Sequence, residues 1–185
     1  MAMTTENEIL DFAQNNNIGD IYALTLFAQA IHETGKFSSN VFLNAMNSFG
    51  MRIAGKRAQN NIGVLETKQG KYAVYSSVAD SWRDRINLDF FNKTAPPQEI
   101  ADIPRYIQEV ARKGYATDPA YVQKWLATTQ KILISEGAPA GSVSSLRLSG
   151  LAKFGIMGAV VVAVLVYLIK SGKIKLPFKI PFLNS

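Results

Sequence analysis

Glu33 is the residue whose position in this sequence is best suited to acid catalysis. It lies near the end of a predicted helix, shortly before Gly35, a typical helix terminator. The negative end of the helix dipole disfavours ionisation there, and apolar neighbours such as Phe37 and Phe42 would raise the pKa of Glu33 by desolvation. A carboxyl group kept protonated near neutral pH can protonate the leaving oxygen of a glycoside. The alternative is a solvated carboxylate at a helix end.

The elements around Glu33 predict an α+β domain, mostly α, over residues 1–135. Apolar residues at helical spacing precede Glu33. The runs GVLETK and KYAVYS, separated by QG, predict a β-hairpin. Three further helical patterns follow the hairpin, and the last begins with Asp118 as N-cap and Pro119 at the first helical position.

Four sequence blocks resemble the peptidoglycan hydrolases of glycoside hydrolase family 73, which are bacterial and phage N-acetylglucosaminidases. The blocks are AQAIHETGKFSSN, NAMNSFGMR, YAVYSSVADSWRDRINL and RKGYATDPAYVQKWL, in the family's order. The resemblance covers about residues 20–135, and its last block is the most specific. Two departures affect the predicted subsites: Phe37 stands where a Trp-Gly pair is usual, and the histidine of the family's Asp-His pair is missing from ADSWRDR.

The resemblance implies a lysozyme-like helical domain whose small β-hairpin lobe covers a glycan groove. It implies that Glu33 is the general acid and that a second acid, where present, comes from the hairpin. Glu66 is the acid that this hairpin offers, so we expect it to be the general base; the alternative is an exposed surface charge. Tyr115 is expected beside the acid, and core packing is its alternative role.

Six further residues are predicted to bind substrate. Asn47 is expected to donate hydrogen bonds to an acetamido group, while Phe49 and Gly50 shape the groove. The predicted sugar platforms are Tyr72, Tyr75 and Trp82. Trp82 on a helix is more often a core residue.

The amino-acid composition limits which kinds of metal or cofactor site are possible. The 185 residues contain no cysteine and one histidine, so we expect no metal site and no cofactor. The net charge is +6, but five of the 20 Lys and Arg and none of the 14 Asp and Glu lie in residues 151–185. The basic excess therefore belongs to the C-terminal tail and favours anionic lipid over nucleic acid as a partner.

The last 50 residues of the sequence predict a membrane anchor. A flexible linker is expected at residues 136–150, a transmembrane helix at 151–170 and a basic interfacial tail at 171–185. The uncharged run from Phe154 to Ile169, which includes Val160 and Val164, spans about 24 Å as a helix. Lys153 and Lys170 bracket this run. A buried helix of a soluble protein is the alternative.

Three functions are compatible with this sequence. The first is hydrolysis of the β-1,4 glycan of peptidoglycan, the second a lytic transglycosylase on the same fold, and the third a non-catalytic, membrane-anchored structural or glycan-binding protein. Because the N-terminal residues lack the features of a signal peptide, we expect a phage virion membrane as the setting, with other virion proteins as partners. The bacterial inner membrane is the alternative setting.

Overall fold

The computed structural model describes residues 12–13 and 15–135 of the chain. The predicted linker, transmembrane helix and basic tail lie outside these residues, as do Phe154, Val160, Val164 and Ile169. Among the described residues, no helix is both long enough and apolar enough to cross a membrane.

The described chain is mostly helical and contains one two-stranded antiparallel sheet, as the sequence predicted. In chain order its elements are α1 (Asp20–Thr34), α2 (Asn40–Ala45), β1 (Gly63–Thr67), β2 (Gly70–Val74), α3 (Val78–Asn92), a short 3-10 helix (Ile100–Asp102), α4 (Ile103–Arg112) and α5 (Tyr121–Ser135). Helix α1 lies against α5, and α5 also contacts α4. These three helices form the lobe that supports Glu33.

The predicted hairpin forms, and its register decides which side chains share a face. Glu66 pairs with Lys71, while Tyr72 is the next residue along β2. Paired residues of antiparallel strands point to the same face, and successive residues alternate. Tyr72 and Glu66 therefore point to opposite faces. Arg52 lies in the segment between α2 and β1. It pairs with Tyr72 along the edge of β2 that does not contact β1, and its side chain is on the same face as that of Tyr72.

Two tryptophans anchor the core of the described domain. Trp125 of α5 is fully buried, and its indole N–H donates to the carbonyl oxygen of Thr25 in α1 at 2.9 Å. Trp82 of α3 is also fully buried and packs edge-on against Phe49, with ring centroids 5.2 Å apart. The second contact joins α3 to the loop that leads into the hairpin.

Asp84 ties the hairpin and its preceding loop to α3. Asp84 lies on α3 and is fully buried. Its carboxylate accepts two hydrogen bonds from Arg57, at 2.6 and 2.8 Å, one from Tyr75 at 2.7 Å and one from Gln59 at 3.0 Å. A carboxylate that accepts four such hydrogen bonds is satisfied without water.

Candidate active site

Glu33 is held in the last turn of α1 by a regular helix end. Gly35 adopts a left-handed conformation with φ +56°, and its N–H bonds to the carbonyl oxygen of Ile31. This conformation suits glycine, as the sequence predicted. The side chain of Glu33 is half-buried rather than solvated.

A cleft of about 190 Å³ opens at Glu33, between the helical lobe and the hairpin. Glu33 contributes the carboxylate, and Tyr72 of β2 lies in the wall opposite to α1. Seven residues line the cleft: Glu33, Ser39, Val41, Asn47, Gly50, Arg52 and Tyr72. Four of them (Glu33, Asn47, Gly50 and Tyr72) were predicted as site residues.

The surroundings of Glu33 favour its protonated form. Burial raises the pKa of the Glu33 carboxyl above its usual value, and a hydrogen bond from Tyr121 and the positive charge of Arg85 oppose part of that increase. The phenol of Tyr121 donates to Oε1 of Glu33 at 2.7 Å. The site therefore contains a carboxyl group whose pKa lies above that of a solvated glutamate.

Tyr115 lies beside this group, but its hydroxyl is used elsewhere. It donates to the carbonyl oxygen of Phe49 at 2.6 Å. Its ring stacks on Tyr121, with centroids 5.9 Å apart, and the guanidinium of Arg85 lies 5.0 Å from the ring centre. The tyrosine that hydrogen-bonds Glu33 is thus Tyr121, which the sequence analysis missed although it lies in the same GYATDPAY block.

Glu66, the predicted general base, is not among the residues of the cleft. Its side chain is 69% exposed and pairs with Lys71 at 2.7 Å, on the hairpin face opposite to Tyr72. This ion pair lowers the pKa of Glu66, chiefly through the hydrogen bond with Lys71. Among the cleft residues that the structure describes, Glu33 is the only carboxylate.

Asn47 and Gly50 line the cleft, whereas Phe49 is not among its lining residues. Asn47 is buried and uses both N–H bonds of its amide within the protein, donating to the carbonyl oxygens of Met51 and Ala73 at 2.9 Å each. It therefore has no free N–H for an acetamido group, and it joins the backbone at Met51 to that at Ala73 of β2 instead. Phe49 is buried, while Gly50 has φ +59° and faces Oε2 of Glu33.

Of the three predicted sugar platforms, the structure brings one to the cleft. Tyr75 is 2% exposed and donates to Asp84, and Trp82 is 0% exposed. Both side chains therefore belong to the core, and a buried ring cannot pack against a sugar. Tyr72 lines the cleft, and the guanidinium of Arg52 lies 5.6 Å from its ring centre.

Arg52 is a cleft residue that the sequence analysis did not assign to the site. One of its amino groups donates to the carbonyl oxygen of Gln69 at 2.9 Å, which holds the side chain across the hairpin turn. No carboxylate pairs with it in the described part of the chain. Within that part, no cluster of three His, Cys, Asp or Glu residues could hold a metal ion.

Comparison with solved structures finds two similar chains, and the first of them shows a similar fold. A chain from a type VI secretion system effector–immunity complex of Pseudomonas protegens is 18% identical, with a TM-score of 0.53; the match covers 78% of this chain and 92% of that chain. A peptidoglycan hydrolase from Sphingomonas sp. A1 is 22% identical, with a TM-score of 0.48 over 82% of this chain and 94% of that chain. No curated protein sequence matches the chain.

A family model identifies the described domain. The glucosaminidase model, whose description is mannosyl-glycoprotein endo-beta-N-acetylglucosaminidase, matches residues 10–133. This match covers more than half of the chain, and it confirms both the resemblance noted in the sequence and the prediction of a glycosidase. The chain therefore belongs to the glucosaminidase family.

Proposed function

We propose that the protein hydrolyses the β-1,4-linked glycan strands of bacterial peptidoglycan as an endo-β-N-acetylglucosaminidase, with Glu33 as general acid. The observation that carries this proposal is the half-buried carboxyl of Glu33 in the wall of the cleft, with a raised pKa and a hydrogen bond from Tyr121. Peptidoglycan is the preferred glycan because the four sequence blocks resemble the wall hydrolases of the family.

In the proposed reaction, Glu33 gives its proton to the glycosidic oxygen while the bond from that oxygen to C1 of the sugar breaks. The leaving sugar departs as an alcohol, and C1 takes a new oxygen from water. Tyr72 offers the ring face of the cleft wall on which a sugar can pack. The fold supplies the acid on the helical lobe and the platform on the hairpin.

The position of Glu66 bears on the second step. A carboxylate on the outer face of the hairpin is poorly placed to activate water next to Glu33. Two mechanisms work with a single carboxylate: the acetamido oxygen of the substrate attacks C1, or Glu33 acts first as acid and then as base. In a lytic transglycosylase, the second use of Glu33 would deprotonate the sugar's C6 hydroxyl as an anhydro ring closes, and this is the alternative function.

The test is digestion of purified peptidoglycan by the full chain in detergent, with products reduced by borohydride and resolved by mass spectrometry. We expect reduced GlcNAc ends from the wild type and none from Glu33→Gln, while Glu66→Gln serves as the matched control. Reduced MurNAc ends would mean a muramidase, and anhydro-MurNAc ends a transglycosylase. A folded wild type that releases nothing from several peptidoglycans would support the non-catalytic function.

A second digestion tests whether the substrate is peptidoglycan or the mannosyl-glycoprotein named in the family's description. A glycoprotein with high-mannose glycans also contains a β-1,4 linkage between two GlcNAc residues. We expect the wild type to cut peptidoglycan in preference to this glycoprotein. Release of the glycan with intact peptidoglycan would overturn the choice of substrate but leave Glu33 as the acid.

The proposed setting is a membrane, with residues 136–150 as linker, 151–170 as anchor and 171–185 as a basic tail on anionic lipid. It depends on the sequence pattern, since these residues lie outside the described part of the chain. A phage virion that opens the wall during entry is the setting we favour, and the bacterial inner membrane is the alternative. Flotation of the full chain with anionic vesicles, compared with residues 1–150, tests the anchor.

A further inference from the structure

A chain of hydrogen bonds runs from Glu33 into the core of the helical lobe. Tyr121 of α5 donates to Oε1 of Glu33 at 2.7 Å, and the hydroxyl of Tyr121 accepts from Nε2 of Gln29 at 2.7 Å. The amide oxygen of Gln29 accepts from Nε of Arg85 at 2.9 Å. Gln29, Arg85 and Trp125 beside them are fully buried, so water does not compete for these bonds.

The chemistry of Arg85 gives this chain one direction. A guanidinium has donors and no acceptor, so the amide of Gln29 must turn its oxygen toward Arg85. The NH₂ group of Gln29 then faces Tyr121 and fills an acceptor position of its hydroxyl. The single proton of that hydroxyl is therefore directed to Glu33. Arg85 thus controls the hydroxyl through one intervening side chain.

The direction of the Tyr121 hydroxyl selects the oxygen of Glu33 that carries the acidic proton. Because Oε1 accepts the bond from Tyr121, the protonated carboxyl keeps its hydrogen on Oε2. This oxygen is on the side of Gly50, a residue of the cleft wall; a Cβ built on Gly50 would be 3.7 Å away from it. The proton is thus held on the oxygen that faces the cleft.

Arg85 itself is fixed on its far side. It pairs with Asp89 at 2.7 Å and donates to the hydroxyl of Tyr106 at 3.0 Å. Asp89 in turn accepts from Tyr106 at 2.6 Å and from Tyr22 at 2.7 Å. With all of these partners buried, the guanidinium has one orientation, and its Nε points at Gln29.

We propose that Gln29 and Arg85 are positioning residues for Glu33, and that they act through Tyr121 to keep the acidic proton on the oxygen facing the cleft. This inference depends on the proposed function of Glu33. It assigns a role to the position where the sequence departs from its family, since Arg85 stands in place of the histidine. Neither Gln29 nor Arg85 lines the cleft.

Other titratable and charged groups surround Glu33 and would influence a pH profile. Tyr115 stacks on Tyr121, the ring of His32 lies 5.7 Å from that of Tyr121, and Arg52 lines the same cleft. A test must therefore change the direction of the hydrogen-bond chain without changing these groups. Replacing Arg85 is unsuitable as the sole test, because it would leave Asp89 buried without its partner.

The variant Gln29→Glu reverses the chain at nearly constant volume. Its carboxylate still accepts from Arg85 but has no N–H for Tyr121, which now donates to residue 29 instead of Glu33. The oxygen of Tyr121 can then accept a hydrogen bond from the protonated carboxyl of Glu33. The acidic proton therefore moves from Oε2 to Oε1, away from the cleft. We expect kcat to fall about 10- to 100-fold with KM nearly unchanged, and the alkaline limb of the kcat profile to move to higher pH.

Two control variants test whether the fall in kcat comes from the reversed hydrogen bonds. Gln123→Glu adds the same charge at an exposed position of α5, and should leave kcat and its pH profile unchanged. Tyr121→Phe removes the last link, and combining it with Gln29→Glu should cause no further loss beyond Tyr121→Phe alone. Additive losses, or a lower melting temperature with an unchanged pH profile, would overturn the proposal in favour of a structural role.

A readout that needs no substrate separates this inference from the proposed function. The carboxyl carbon of Glu33 is titrated by ¹³C NMR in the wild type and in Gln29→Glu. A rise in the pKa of Glu33 on Gln29→Glu that is much smaller in a Tyr121→Phe background supports the hydrogen-bond chain, because repulsion between the two carboxylates does not need the hydroxyl. An equal rise in both backgrounds, or an unchanged pKa, overturns it, even if the wild type proves inactive. An inactive wild type would overturn the proposed function alone.

Discussion

Replacing Asp84 with asparagine should reduce the free energy of unfolding by about 3–5 kcal/mol, the range for removing one partner of a buried ion pair. Asp84 is fully buried, and 8% of the Arg57 side chain is exposed. The asparagine would leave the guanidinium of Arg57 without its counter-charge. Its NH₂ group would also face one of the groups that donate hydrogen bonds to Asp84. For a chain of 185 residues the melting temperature should fall by roughly 6–20 °C.

The matched control is Asp80→Asn, one turn earlier on the same helix. The side chain of Asp80 is 21% exposed, and its partner Arg83 is 50% exposed, so this ion pair is screened by solvent. We expect its loss to change stability by no more than about 1 kcal/mol. Urea denaturation of the full chain measures both variants. A loss below about 1 kcal/mol in Asp84→Asn would refute the assignment of Asp84 as the tie between hairpin and helix.

The same residue predicts how stability depends on acid. Burial would raise the pKa of Asp84, but hydrogen bonds from Arg57, Tyr75 and Gln59 outweigh it and lower the pKa below its usual value. A group with a lowered folded-state pKa contributes stability above its unfolded pKa, and that contribution is lost as pH falls through the folded pKa. The stability difference between wild type and Asp84→Asn should therefore be largest near neutral pH and shrink below about pH 4.

Three further substitutions test the cleft. Glu66→Gln should change kcat less than about twofold, since its carboxylate is on the outer face of the hairpin; a loss of about 10²-fold or more on peptidoglycan would make it the general base. Glu33→Gln should abolish activity yet stabilise the fold by about 0.5–2 kcal/mol at pH 7, because burial penalises the charged form of Glu33 relative to the unfolded chain and a neutral amide has no such penalty. Because the raised pKa of Glu33 keeps it neutral in acid, calorimetry should show this gain at pH 7 and not at pH 4. Arg52→Gln should raise KM about tenfold on peptidoglycan, whose stem peptides carry carboxylates, and leave KM for uncharged GlcNAc oligomers unchanged; equal changes on both substrates would argue against an anion contact.

Local patterns in the sequence predicted the elements and the place of Glu33. Period 3.6 and Gly35 give a helix that ends beside the carboxylate, and the two β-type runs around Gly70 give the hairpin. These features depend on residues close together in the chain, so a single sequence contains the signal. The same patterns could not separate core from cleft for Tyr75 and Trp82, because an aromatic residue on an apolar face satisfies either environment.

The position of Glu66 shows a different limit. Alternation along β1 separates the two faces of the hairpin, but it does not say which face lies toward the helical lobe. That choice depends on contacts with residues outside the hairpin: the segment containing Arg52 pairs with Tyr72 along β2, and both side chains line the cleft. The segment shows no strand pattern of its own, so local sequence patterns do not indicate how the hairpin is oriented.

The residues behind Glu33 were hidden for a further reason, since they come from three helices. Gln29 is 56 residues from Arg85 and 92 from Tyr121, and each looks ordinary within its own helix. Burying an arginine seldom adds stability compared with an apolar side chain of similar size, even when the arginine is fully paired. An ordered guanidinium on the inner side of the Glu33 carboxyl is therefore explained better by the direction it imposes on Gln29 and Tyr121, as we propose, than by stability. If Glu33 is the acid that we propose, the replacement of the family's histidine by Arg85 in ADSWRDR changes how this acid is held in place.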